Sequence, residues 1–156
     1  YAYNFSITSE LSTIRFTNES SSSRFQLWEN AIDASINSNL MGLGLGNWKI
    51  ESIPYWNKNG SDYIVPYHAH NDFFELLAEI GIFGSFSYLF LFITSFYLLI
   101  KNYFLSKSFI EVVLISSFMI YIVDAFLNFP LERLTMQIFF SFLIFLITSR
   151  YAKDYQ

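Results

Sequence analysis

The chain has 156 residues, 53% of them hydrophobic and 21% aromatic, and only 14% charged, well below the roughly one quarter usual for soluble domains. Its net charge of −4 gives no electrostatic reason to bind nucleic acid, and the lack of cysteine excludes disulfide staples and thiolate chemistry. The apolar excess is concentrated after Gly81. The sequence therefore reads as an all-α integral membrane protein, with an extracytoplasmic (periplasmic) segment over 1–80, three transmembrane helices over 81–150 and a cytoplasmic tail at 151–156.

Residues 1–23 are polar, with a Ser-rich run at 17–23 that reads as flexible. Ser23 followed three places later by Gln26 forms a capping box, which sets the start of a helix near Arg24. Phe25, Trp28, Ile32 and Ile36 then recur at three- and four-residue spacing. That single apolar stripe predicts a surface-lying amphipathic helix over about 24–38, with Arg24 one turn before Trp28 on the same side. Three glycines follow at alternate positions, Gly42, Gly44 and Gly46. A dinucleotide fingerprint needs a preceding strand and a further spacing of glycines, so this run is expected to permit close packing against helices of the bundle. Residues 47–66 read as an aromatic, turn-rich loop containing Pro54, Asn59, Gly60 and Pro66. Asn71 is a good N-cap, and the helix starting there can run unbroken into the first span.

Spans are expected at about 81–100, 109–126 and 131–148, each near the roughly twenty residues that cross hydrocarbon. Glu111 and Asp124 interrupt the second near its ends. If the spans alternate, Lys101, Lys107, Arg150 and Lys153 fall on one side, and Glu75, Glu79, Asp124, Glu132 and Arg133 on the other. The positive-inside rule makes the lysine side cytoplasmic and turns residues 1–80 outward. The chain starts with neither methionine nor a signal peptide, so it is expected to be the C-terminal part of a longer multispan protein whose upstream spans are missing.

His68 and His70 are the only histidines. On an extended strand they would point the same way and could share a metal with Asp72, but zinc-protease spacing and a third imidazole or thiolate are lacking. His70 is the stronger site candidate, against a bland role as a hydrogen-bonded packing residue. A neutral imidazole accepts a proton from a hydroxyl near pH 7, and an arginine fork neutralises a diphosphate. Arg24 is the leading phosphate candidate, with contact to lipid headgroups beside Trp28 as the plain alternative. Arg133 can pair with Asp124 or Glu132, or reach phosphate. Glu75 and Glu79 can orient His70, hold an arginine or stay solvated, with Glu79 favoured because it sits deepest. Asn71 can be a helix cap and nothing more. Tyr67 and Trp48 can stack on a sugar or belong to the interfacial belt.

Taken in order, Arg24, Trp28 and Ala31, the glycine run, and His70-Asn71 followed after nine residues by Gly81-x-x-Gly84 form a pattern, with Glu79 two places before the first of those glycines. This pattern resembles the C-terminal half of the O-antigen ligase/polymerase family of bacterial membrane proteins, over roughly Arg24 to Ile147. The resemblance implies transfer of an undecaprenyl-diphosphate-linked glycan to an acceptor hydroxyl on the outer face of the cytoplasmic (inner) membrane. The acceptor would be lipid A core or another carrier-linked glycan. No cofactor or metal is implied; the bilayer is a partner and a chain-length regulator a further candidate partner. The family's histidine falls on His70 and its periplasmic-helix arginine on Arg24, the expected catalytic pair. Asn71, Glu79, Trp28, Tyr67 and Arg133 complete the expected substrate-binding set.

Two departures stand out. Asn39-Leu40-Met41 replaces a proline that often precedes the family's glycine run. A further essential arginine belongs to an upstream span, so the chain alone is expected to be inactive. Polymerisation of a surface polysaccharide such as O-antigen is the leading expectation, O-antigen ligation to lipid A core the alternative. A non-enzymatic polysaccharide or lipid transporter is less favoured, because no continuous polar path marks the spans.

Overall fold

A computed structural model describes residues 18–56 and 67–153. The polar segment 1–17, the centre of the aromatic loop with Asn59, Gly60 and Pro66, and the last three residues lie outside the described residues. The rest is helical, with no strand among the described residues: α1 (Asn18–Asn37), α2 (Trp48–Glu51), α3 (Ile53–Trp56), α4 (Asp72–Ser106), α5 (Phe109–Leu127) and α6 (Leu134–Lys153), plus a 3-10 turn at Pro130–Glu132. Helices α4, α5 and α6 are each long and apolar enough to cross a membrane. The chain is an all-α membrane protein.

The bundle forms because α4 and α5 are joined by only two residues, which forces them antiparallel. Lys107 ends α4 in a left-handed conformation, and Ser108 Oγ accepts the Ile110 N–H at the start of α5. Between the three long helices lies an aromatic core. Tyr121 stacks on Phe140 at 4.2 Å and Phe92 on Phe140 at 5.2 Å, with Leu99, Phe118 and Ile147 fully buried or nearly so. Phe83, Phe90 and Ile120 point outward, as expected where the surrounding medium is hydrocarbon. At the far end Glu111, fully buried, pairs with Arg150, and Asn102 donates to the Ile147 carbonyl.

Helix α1 differs from the expectation in two ways. It begins at Asn18, so Ser23 lies inside it and does not serve as its N-cap; serine opposes helix only mildly, and the run simply extends it. Its buried face is Leu27, Ala31, Ala34 and Ser35, whereas Phe25 and Ile36 of the expected stripe are exposed. Small residues let α1 approach α4 closely, leaving larger apolar side chains to face outward.

Nor is α4 unbroken. Gly81 sits at φ 68°, ψ −169°, a break within α4 at the position where the first span is expected to start from the sequence. An intact helix would bond the Ile82 N–H to the Ala78 carbonyl; here the glycine run takes over those groups. Leu43 N–H donates to Ala78 O (2.9 Å), Gly44 N–H to Glu79 O (2.8 Å), and Ile82 N–H to Leu40 O (3.0 Å). A Cβ on Gly42 would collide with the Glu79 carbonyl, and one on Gly81 with the Leu40 carbonyl. The expected close packing is thus backbone against backbone, and it satisfies groups that are costly to leave unpaired beside hydrocarbon.

Candidate active site

The site gathers where the segment 67–71 meets the start of α4 and the α5–α6 connection. His70 adopts φ 51°, a left-handed conformation that a residue with a Cβ takes only when its surroundings impose it. The residues on both sides are clamped. Ala69 N–H donates to Glu75 Oε2 (2.8 Å), and the Ala69 carbonyl accepts Trp28 Nε1–H from α1 (3.1 Å). Asn71 Oδ1 accepts the N–H groups of Phe73 and Phe74, capping α4, while its Nδ2 donates to the Phe126 carbonyl at the end of α5 (3.1 Å). Trp28 is further held by stacking on Phe74. Asn71 and Trp28 therefore act on His70 through the backbone, with their polar atoms already committed.

Phe129 is the platform on which the two imidazoles and one guanidinium assemble. His68 stacks on it at 4.0 Å, and His70 meets it edge-on at 5.2 Å. The Arg133 guanidinium lies over it, 4.6 Å from the ring centroid. His68 Nδ1 also lies 3.0 Å from Glu75 Oε1. Burial pushes the His70 imidazole below its ordinary range, and the charges of Arg24, His68 and Arg133 press it the same way. His70 is accordingly neutral at pH 7, and its buried Nδ1 has no hydrogen-bond partner among the described residues.

The charges of Arg24 and Arg133 both bear on His70, although the three residues come from α1, the segment before α4, and the segment before α6. Glu79 makes no hydrogen bond to either histidine among the described residues. It lies 3% exposed, accepts the Trp48 N–H (3.2 Å), and lines a cavity of about 200 Å³ with Asp72, Glu75, Leu131 and Glu132. Lys49 and Glu132 pair across exposed surface nearby. Tyr67 is exposed beside His68, and Trp48 is fully buried in the small core with Leu27 and Ala31. No group of three or more His, Asp or Glu side chains among the described residues is arranged to hold a metal. Two contributors are not evident from single-sequence spacing: Phe129, whose apolar side chain carries no chemical signal, and Glu75 in place of the deeper Glu79 as the carboxylate at the histidines.

The family model for O-antigen ligase matches residues 2–89, and the chain belongs to that family. The matched stretch contains Arg24, the glycine run, His70, Asn71 and Gly81 to Gly84, and it ends within α4, short of the Ile147 limit expected from the sequence. No curated protein matches the chain, and no solved structure does. Membership in this family, together with three membrane-length helices, makes the chain a membrane enzyme of the glycosyltransferase kind.

Proposed function

We propose that the chain supplies the outer-face site of an enzyme that moves a glycan from undecaprenyl diphosphate to an acceptor hydroxyl. The observation that carries this reading is the convergence of Arg24 and Arg133 on His70. Two permanent cations beside a neutral imidazole suit a reaction whose leaving group is a diphosphate and whose nucleophile is an alcohol. Arg24 and Arg133 would hold the diphosphate as negative charge grows on it during departure of the sugar. His70 would accept the hydrogen bond of the attacking hydroxyl. Direct in-line attack would invert the anomeric centre. Chain polymerisation remains the leading assignment from the residues, and the description of the matched family favours ligation to lipid A core as the second. Residues 1–80 would face the periplasm and the lysine ends the cytoplasm.

The test is complementation of a strain lacking the gene, with surface glycan read by gel and membrane levels of each variant confirmed. Wild type should restore glycan, and His70→Ala and Arg24→Ala should not. A long ladder identifies a polymerase; capping of lipid A core without longer chains identifies a ligase. Full activity of both variants would return His70 and Arg24 to structural roles.

A further inference from the structure

The two imidazoles are not equivalent. Both oxygens of Glu75, itself 5% exposed, are committed: Oε1 to His68 Nδ1 and Oε2 to the Ala69 N–H. Phe129 stacks on His68 with only 14° between the planes. Position and plane of His68 are therefore set together, and a Glu75 carboxylate facing Nδ1 favours the tautomer with its proton there and Nε2 as the acceptor. Nε2 makes no hydrogen bond to a described residue, and the side chain keeps 18% exposure, enough to be reached. A carboxylate behind an imidazole stabilises the imidazolium that forms when the other nitrogen takes a proton. Among the described residues His70 has no such partner. Its Nδ1 meets no hydrogen-bonding group there, and Arg24, His68 and Arg133 all oppose a positive charge on it.

We propose that His68 is the base that removes the acceptor's proton, with Glu75 as its positioning residue, while His70 orients the attacking hydroxyl. This rests on the glycan-transfer reading above. The acceptor oxygen bonds to the anomeric carbon as its O–H bond breaks, and the proton passes to His68 Nε2. The bond from that carbon to the diphosphate oxygen breaks, and its electron pair leaves with the diphosphate. Glu75 balances the imidazolium, which then gives its proton to water.

The experiment uses the full-length protein in proteoliposomes, supplied with the host's extracted undecaprenyl-diphosphate-linked oligosaccharide and with lipid A core. Variants are His68→Gln, Glu75→Gln and Glu75→Asp, with His70→Ala and Arg24→Ala as references. His68→Gln and Glu75→Gln should each lower kcat about a hundred-fold or more with little change in KM, and should remove the acid limb of the pH–rate profile. Glu75→Asp should recover part of the rate. The His68→Gln/Glu75→Gln double variant should be no worse than either single one, because the two act as a unit. The other titratable and charged groups of the region, His70, Asp72, Glu79, Glu132, Lys49, Arg24 and Arg133, stay intact in these variants, so loss of the limb is assigned to the pair. Independently of activity and of variant folding, ¹⁵N-histidine spectra of the wild-type protein at neutral pH should show His68 protonated at Nδ1. An Nε2-protonated His68 overturns the proposal. So do His68→Gln and Glu75→Gln enzymes within ten-fold of wild type with the acid limb unmoved, alongside inactive His70→Ala; the base role then returns to His70. Wild-type rates in His70→Ala and Arg24→Ala would instead overturn the glycan-transfer reading itself.

Discussion

Replacing Gly42 by alanine probes the joint between the glycine run and the break in α4. Gly42 has φ +89°, and a Cβ there would lie 2.6 Å from Gly81 N as well as against the Glu79 carbonyl. Both neighbours are backbone, so the two segments must part. Separation removes the bonds from Leu43 to Ala78, Gly44 to Glu79 and Ile82 to Leu40. At about 1 kcal/mol net for each bond, plus about 1–2 kcal/mol for an alanine held left-handed, the loss is roughly 4–5 kcal/mol. Gly46 supplies the control, since it has φ +78° but nothing within 4 Å of an added Cβ. Gly46→Ala should cost only the conformational share. Thermal unfolding of the purified protein in detergent, followed by tryptophan fluorescence, should give a fall of about 10 °C or more for Gly42→Ala and about 3–5 °C for Gly46→Ala. Equal melting of the two variants would refute the reasoning, because the backbone contact would then contribute nothing beyond the φ preference.

At the other end of the bundle, Arg150→Leu strands the fully buried Glu111 carboxylate and should cost about 3–5 kcal/mol; adding Glu111→Leu should recover much of it in thermal unfolding. Asn71→Ser keeps a side-chain acceptor that can cap α4 but loses the donor to Phe126, so it should be less destabilised than Asn71→Ala, which loses both and falls by about 1–2 kcal/mol for the cap alone. The lowered pKa of His70 also predicts a stability change with pH. The folded state disfavours the imidazolium, so stability is complete above the unfolded histidine range and declines as pH falls from about 6.5 toward the depressed value. Arg24→Gln removes one of the opposing charges and should move the His70 titration, read by ¹⁵N resonances, back upward; an unmoved midpoint would place Arg24 out of reach.

Much of the architecture is legible along the chain because membrane solvent imposes a local rule. A run of about twenty apolar residues must be a helix, whatever its neighbours are. Three helices long and apolar enough to span therefore form over the three hydropathic runs, and Asn71 caps the helix it precedes, as its residue type suggests. The face of α1 was not legible in this way. A stripe of large apolar residues is read as buried in water, but beside a bilayer such residues can face outward, and the small residues pack inward instead.

What only the tertiary structure decided is how distant groups share one place. The break at Gly81 is stable because the loop holding Leu40, Leu43 and Gly44 supplies the missing backbone partners, a dependence between segments roughly forty residues apart. Phe129 unites His68, His70 and Arg133 only once α5 and α6 fold back beside α4. Glu75 rather than Glu79 serves the histidines because the segment 67–71 folds over the first turn of α4, leaving Glu79 one turn deeper, against the Trp48 N–H. Residue types and spacings carried the membrane helices and the chemical identities of the candidates. Their proximities arose from chain closure across separated segments, which periodicity does not encode.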